Sequence, residues 1–393
     1  MMIGIDKMGF ATPKYQLKMA DLAQARGVDP NKYSEGLLLD ALSIAPITED
    51  IITLAASAAQ DILTEEDKAA IDMVIVATES SVDQSKAAAV YVHSLLDIQP
   101  FARSFEVKEA CYSATAALNY AKLHVEKSPQ SRVLVLASDI AKYGIGSAGE
   151  STQGAGSLAM LITSNPRLLA FQDDNVAQTR DIMDFWRPNY SETPFVNGMY
   201  STKQYLDSLT TTWAEYQKRS GKELTDFAAF CFHLPFPKLA LKGLNKLINK
   251  GISEEKKEQL LDNFAHSITY SKQVGNIYTG SLYLGLLSLL ENAKTLKAGD
   301  QIGLFSYGSG AVSEIFSLKL MPDFDQQLQT QRQASLDQRQ TLTVAQYETL
   351  FFEETKLDET GSREFAHYAS NAFRLTGIKE HQRQYSKVSR NDN

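Results

Sequence analysis

The chain has 393 residues, enough for one large or two ordinary domains, with 44% apolar and 22% charged residues, the balance of a globular protein. Its net charge of −8 argues against a nucleic-acid binder, whose affinity rests on a basic surface. Its two cysteines, Cys111 and Cys231, build no disulfide framework, no run of about 20 apolar residues offers a membrane span, and Met1-Met2-Ile3-Gly4-Ile5-Asp6 lacks the basic and apolar regions of a signal peptide, so a cytoplasmic enzyme with reduced thiols is expected.

Ile3-Gly4-Ile5 reads as a short strand, followed by polar turns around Pro13 and Pro30. Residues 48–63 are predicted to be a helix, with Thr48 as N-cap and Glu49 and Asp50 in the first turn. Ile51, Leu54, Ala55, Ala58, Ala59 and Ile62 fall on one face of it. Met73 to Ala77 is a continuous apolar run, a strand buried on both faces, and it ends at Thr78-Glu79-Ser80. A helix follows over 86–96, then a strand-like segment over 101–107.

Glu109 to Leu118 is a small-residue stretch that passes into helical periodicity up to Lys127. Cys111 falls at this strand-to-helix junction. Free N–H groups and the positive end of the helix dipole would stabilise a thiolate there and lower its pKa. Ser113, Ala114, Ala116 and Ala117 would let the helix pack deep. The plainer reading is a small buried hydrophobe.

Val133 to Ala137 is another buried strand, ending at Ser138-Asp139. The run Gly144 to Gly149 has GxGxxG spacing, but that fingerprint needs its glycines between a strand and a helix. Here the strand ends earlier and the next element, 158–162, reads as a strand, so nicotinamide binding is not expected. Trp186 to Tyr190 reads as a loop and 201–218 as a helix. Phe227 to Phe232 is a buried strand ending at His233, with helices over 237–249 and 254–264. Ser271 to Asn276 leads into a small-residue helix over 278–292. Strands over 301–305 and 312–320 complete an α/β alternation. The Gln-rich stretch 324–345 reads as a surface helix or extended hairpin, and 380–393 as a partly frayed end. The six histidines are dispersed, with no metal-ligand spacing.

The two halves look like copies. The strand ending at Glu79 matches the strand ending at His233, and the helix opened by Cys111 matches the helix opened by Asn276. A pseudo-twofold axis would bring Cys111, Asn276, Glu79 and His233 to one cleft. A thiol flanked by a carboxyl and an imidazole suits covalent acyl transfer from a thioester. Glu79, partly desolvated at a strand end, should have a raised pKa and exchange protons near neutrality. His233 and Asn276 could polarise a carbonyl oxygen. Singly each has a plainer role: a solvated carboxylate, a structural histidine, a helix cap.

An ordered set of motifs resembles the hydroxymethylglutaryl-CoA synthase family of the bacterial mevalonate pathway, essentially end to end. It comprises Gly27-Val28-Asp29-Pro30-Asn31-Lys32-Tyr33, Ala77-Thr78-Glu79-Ser80, Glu109-Ala110-Cys111-Tyr112 and Ala137-Ser138-Asp139-Ile140-Ala141-Lys142-Tyr143. It continues with Asp184-Phe185-Trp186-Arg187-Pro188, Phe232-His233-Leu234-Pro235-Phe236-Pro237-Lys238, Gly275-Asn276-Ile277-Tyr278-Thr279 and Phe305-Ser306-Tyr307-Gly308-Ser309-Gly310. The resemblance implies a thiolase-like α/β fold of two similar halves in five αβαβα layers. The halves would be 1–166, carrying Glu79 and Cys111, and 167–393, carrying His233 and Asn276. It implies a homodimer and no cofactor beyond coenzyme A thioesters. Acetyl-CoA would acylate Cys111, Glu79 would form the enolate, and His233 would polarise the ketone of acetoacetyl-CoA. Asn276 and Ser309 would line the acyl pocket, with Asp83, Asp139, Tyr143, Asp184 and Phe185 shaping it. Asp29, Thr152, Ser201, Lys238 and Lys242 would contact the CoA-bearing substrates. The nearest rival is a ketoacyl-synthase-III-like or chalcone-synthase-like condensing enzyme, which shares Cys, His and Asn but lacks the carboxylate of Glu79.

Overall fold

The computed structural model describes residues 1–191, 193–329 and 331–388. Ten strands form one sheet: β1 (Ile3–Ala11), β2 (Ile71–Ala77), β3 (Arg103–Val107), β4 (Arg132–Ile140), β5 (Ala155–Ser164), β6 (Leu169–Phe171), β7 (Val176–Thr179), β8 (Ala229–Phe232), β9 (Gln301–Gly308) and β10 (Val312–Leu320). Across the sheet the order is β8-β9-β10-β6-β1-β5-β4-β2-β3, with β7 added on β10. The two ends of this order have matching senses. β2 lies parallel to β4, which turns back antiparallel into β5. β8 lies parallel to β9, which turns back antiparallel into β10. Glu79, just past β2, and His233, just past β8, therefore stand at corresponding strand ends.

Side-chain alternation builds the layers. Met73, Ile75 and Ala77 of β2 point into one core, shared with Ala114, Ala117, Leu118 and Ala121 of helix α3 (Ser113–Lys127). That core also takes Leu282, Leu286 and Leu289 of helix α7 (Ser281–Asn292), and Ala229, Cys231, Ile302 and Leu304 from the other half-sheet. Val74 and Val76 point the other way, onto α1 (Ile51–Gln60) and α2 (Ala88–Leu95). Phe230, Phe232, Phe305 and Tyr307 likewise face α4 (Gly198–Ser220) and α5 (Pro237–Leu247), with Phe264 of α6 (Glu254–Ser267) against Phe232. The result is five layers: outer helices, half-sheet, the α3/α7 layer, half-sheet, outer helices. No helix among the described residues is long and apolar enough to cross a membrane.

Several expectations need correcting. The N-cap of α1 is Asp50, not Thr48. Its carboxylate accepts from Ile52 and Thr53 N–H (both 3.0 Å), and Thr53 Oγ1 accepts from Asp50 N–H (2.9 Å). Nor is α1 one-faced: every residue from Ile51 to Ala59 is buried. Its far side is covered by a C-terminal hairpin, Phe373–Lys379 with Gln382–Lys387. Asp50 holds that hairpin through Arg383 (3.1 Å) and Tyr385 OH (2.7 Å). Residues 382–387 are thus a paired strand rather than a frayed tail, and 389–393 lie outside the described residues. The Gln-rich stretch is only partly superficial: Arg332, Leu336 and Arg339 are buried within it. Arg339 donates to Ser43 Oγ (2.6 Å) and Gln273 O (2.9 Å). Cys231 is core.

Candidate active site

Cys111 lies in a tight turn two residues before α3 begins. Ala110 precedes it with φ 42°, left-handed for a residue with a Cβ. The donors at this helix start are already engaged. Tyr112 N–H goes to Glu109 O (2.9 Å), Ser113 N–H to Ala110 O (3.3 Å) and Ala114 N–H to Thr279 Oγ1 (2.7 Å). The expected lowering of the thiol pKa therefore fails. Burial pushes the thiol of Cys111 well up, and the Glu79 carboxylate beside it adds to the effect. The thiol donates to Glu79 Oε1 at 3.0 Å.

Glu79 is carried at the end of β2, and it behaves as its strand-end position predicts. Burial first, and then the charge of Asp139, push its carboxyl up to about 8. Asp139, on β4 and fully buried, is a receptor for donors. Its Oδ1 accepts from Thr78 Oγ1 (2.8 Å), Glu79 N–H (2.9 Å) and Ser80 Oγ (2.8 Å), and its Oδ2 from Thr279 N–H (3.2 Å). These bonds fix the backbone of Glu79 and tie the end of β2 and the turn before α7 to one carboxylate. Arg187 donates to the carbonyl of Glu79 from the opposite side.

Asn276 comes from the other half. Its Oδ1 accepts from Tyr278 N–H (2.9 Å) and Ser281 Oγ (2.8 Å), so the oxygen does cap the turn before α7. Its amide nitrogen points elsewhere, to Tyr143 OH (3.1 Å). Tyr143, Phe185 and Tyr278 pack edge-on or tilted, with ring centroids 6.0 to 6.1 Å apart, as one aromatic wall. Asp184, buried next to Phe185, accepts from Tyr307 OH (2.7 Å) and Gly310 N–H (2.9 Å), which ties the wall to the β9–β10 turn that carries Ser309. Gly308 is glycine for close approach: a Cβ there would lie 2.7 Å from Glu109 O and 2.8 Å from Tyr112 N.

His233 is 3% exposed, its N–H bonded to Phe305 O (2.8 Å) and its carbonyl to Tyr205 OH (2.8 Å). Its Nδ1 is buried with no hydrogen-bond partner among the described residues. Burial drives its pKa down to about 3, so the ring is neutral at physiological pH.

With a cysteine, a carboxyl and an amide linked across both halves, and a neutral imidazole at the corresponding strand end, comparison with known proteins becomes decisive. The family model described as hydroxymethylglutaryl-coenzyme A synthase N terminal matches residues 1–167, and the C-terminal one matches 175–269 and 248–388. The chain belongs to the hydroxymethylglutaryl-CoA synthase family. Hydroxymethylglutaryl-CoA synthase of Enterococcus faecalis is 53% identical over 363 residues, 92% of this chain and 94% of its own. A solved HMG-CoA synthase complexed with CoA superimposes with TM-score 0.98 at 69% identity, over 99% of this chain and 100% of that one. A second, in complex with 3-hydroxy-3-methylglutaryl coenzyme A, gives TM-score 0.88 at 31% identity, over 99% of both chains. These neighbours carry the thiolase-like arrangement expected from the motifs.

Of the residues singled out from the family's motifs, Glu79, Cys111, Asp139, Tyr143, Asp184, Phe185 and Asn276 are joined by direct bonds, ring packing or a shared turn. Thr152 connects through its backbone, its carbonyl accepting from Asn276 N–H (2.9 Å). Asp83 stands apart, exposed, its carboxylate taken by Ser85 and Lys86 N–H (both 2.8 Å). Asp29 is likewise exposed and caps Asn31 N–H (2.9 Å). Lys238 is half-buried at the start of α5, Lys242 is exposed one turn on, and Ser201 is half-buried in α4. Motif reading passed over Thr78, Ser80, Arg187, Thr279 and Tyr307 as individuals. All five lie inside the quoted motifs, but only the assembled site shows what each bonds to.

Proposed function

We propose that this protein condenses acetyl-CoA with acetoacetyl-CoA and water to give 3-hydroxy-3-methylglutaryl-CoA and free CoA, an acyltransferase reaction of the mevalonate pathway. The observation that carries the reading is the 3.0 Å bond between the Cys111 thiol and a Glu79 carboxyl raised to about 8. The thiol gives its proton to Glu79 as its sulfur attacks the acetyl carbonyl, CoA leaves as its thiol, and Cys111 carries an acetyl thioester. The three N–H groups that follow Cys111 are engaged, so the backbone N–H of Cys111 itself is the donor assigned to the developing oxyanion. Glu79 then takes a methyl proton from the acetyl group, which its thioester has acidified. The enolate attacks the ketone carbon of acetoacetyl-CoA, whose oxygen the neutral ring of His233 polarises. Glu79 returns its proton to the new alkoxide. Water cleaves the thioester, releasing the carboxylate product and the free thiol. Glu79 passes the proton it took from the thiol to the departing CoA sulfur, and in the last step it moves a proton from the attacking water to the Cys111 sulfur while the product acid gives its proton to solvent; the reaction as written uses no cofactor.

Asn276 and Ser309 line the acyl pocket in this reading, shaped by Asp83, Asp139, Tyr143, Asp184 and Phe185. Asp29, Thr152, Ser201, Lys238 and Lys242 are assigned to the CoA chain, the two lysines suiting its phosphates. We place the boundary between the two halves at 166/167, and the protein in the cytoplasm as a homodimer. Support for the dimer comes from β3, an edge strand, with Val90, Phe101, Tyr120 and Leu123 exposed around it.

Intact mass spectrometry tests the reading. Acetyl-CoA alone should add one acetyl group at Cys111, and acetoacetyl-CoA should remove it as the six-carbon product forms. An adduct that turns over only with a malonyl thioester would favour a ketoacyl synthase.

A further inference from the structure

The GxGxxG-like run, which the strand placement disqualifies as a nicotinamide fingerprint, has its own anchorage. Gly144 (φ 110°) and Gly146 (φ 74°) turn the chain back, and the short helix Glu150–Thr152 follows. Glu150 is 3% exposed. Its Oε2 accepts from Gly146 N–H (2.8 Å) and Arg26 Nε (2.9 Å), and its Oε1 from Arg26 Nη2 (2.7 Å) and Tyr347 OH (3.2 Å). Arg26, at the end of the helix Met19–Arg26, also reaches Glu348 (2.7 Å) in the helix Val344–Phe351. Burial works against ionisation of Glu150, yet the Arg26 bonds and the Gly146 N–H leave its carboxyl below the ordinary range. This is a bidentate, largely buried pair, the kind whose loss of one partner is costly.

What the loop carries matters more. A Cβ on Gly149 would come 2.7 Å from the ring of Tyr143, so the loop folds directly under that ring. Tyr143 N–H reaches Gln153 Oε1 (3.4 Å), and Thr152 O accepts from Asn276 N–H (2.9 Å). Both ends of the Tyr143–Asn276 bond thus rest on the segment that Glu150 anchors. The Cys111–Glu79 pair hangs instead on Asp139 and Thr279.

We propose that Arg26 and Glu150 are positioning residues: their pair clasps the 144–153 loop, holds Tyr143 and Asn276 in the acyl pocket, and serves the condensation step more than acetylation of Cys111. The inference rests on the reaction proposed above. Full-length E150Q, R26Q, R26K and the double variant R26Q/E150Q would be compared with the parent protein in three measurements. These are hydrogen exchange of peptides covering 141–156 and 271–280, the rate of Cys111 acetylation by acetyl-CoA, and the rate at which acetoacetyl-CoA consumes the acetyl adduct.

E150Q and R26Q should each raise exchange in both peptides. Each should slow adduct consumption about tenfold, with acetylation slowed by less than about threefold. The double variant should be no worse than either single one, and R26K, which keeps the charge but not the fork, should lie between. Unchanged exchange in these peptides overturns the clasp. Equal slowing of both steps with a matching fall in melting temperature overturns the positioning role. If the parent protein forms no adduct, the reaction is wrong, while the exchange data still decide the clasp.

Discussion

In the proposed reaction the ionisation of Glu79 governs the condensation step. With its carboxyl at about 8, roughly 9% is ionised at pH 7, about 50% at pH 8 and about 91% at pH 9. Enolisation needs the ionised form, so its rate should rise about fivefold from pH 7 to 8 and less than about twofold from 8 to 9. The hydrogen bond from Cys111 holds the Glu79 value down. Acetylation removes that bond, so the limb measured on the acetyl enzyme should lie at or above pH 8, and the rises from 7 to 8 and from 8 to 9 become steeper the further it moves up. The assay is rapid mixing of enzyme acetylated at Cys111 with acetoacetyl-CoA, following its ultraviolet absorbance, from pH 6 to 9. Glu79→Gln should still form the acetyl adduct but condense about 10²- to 10⁴-fold more slowly, the usual worth of a positioned general base. A flat profile from pH 7 to 9, or normal condensation by Glu79→Gln, would refute the reasoning.

His233, with its pKa near 3, should contribute no limb to the profile between pH 5 and 8; a limb near 6.5 that disappears in His233→Asn would show that the ring charges during turnover. Gly308→Ala should push the Glu109–Tyr112 turn away from the β9–β10 turn, because its Cβ would lie 2.7 Å from Glu109 O; a loss of about 1–3 kcal/mol in urea unfolding and slower acetylation are expected. Asp50→Ala removes the cap of α1 and the anchor of the C-terminal hairpin, and should cost about 1–2 kcal/mol by the same measurement. Glu49 is 2% exposed, with Oε2 unpartnered among the described residues, and burial raises its carboxyl to about 7. The folded state therefore keeps a proton that the unfolded chain loses above its ordinary value of 4.5. Stability from this group should fall as pH rises from there through about 7. Chemical denaturation at pH 5 and 8 should show Glu49→Gln to be flatter with pH than the parent protein.

Much of the frame is readable from residue order alone. The runs Met73–Ala77, Val133–Ala137 and Phe227–Phe232 are apolar without alternation, which a strand buried on both faces requires, and their ends locate Glu79, Asp139 and His233. The motifs around Cys111, His233 and Asn276 carry the chemistry as residue types. The helix at 51–60 is less legible: a run rich in Ile and Ala suggests one apolar face. Only the hairpin at 373–387, more than 300 residues away in sequence, explains why no face is left exposed.

What the sequence determines by itself is local: which segments are strands or helices, where they stop, and which nucleophile, acid and amide the chain possesses. The tertiary structure decides how those groups behave. Cys111 stands where a helix start should favour its thiolate, yet the turn consumes the N–H groups that follow it, and Glu79, 32 residues away in sequence, accepts the thiol's hydrogen bond. The direction of the Glu79 shift is legible from its strand end, but its size, and the neutral ring of His233, follow from the extent of desolvation and, for Glu79, from the charge of Asp139. Those quantities depend on distances across the fold, and a linear sequence does not contain them until both halves have packed around α3 and α7.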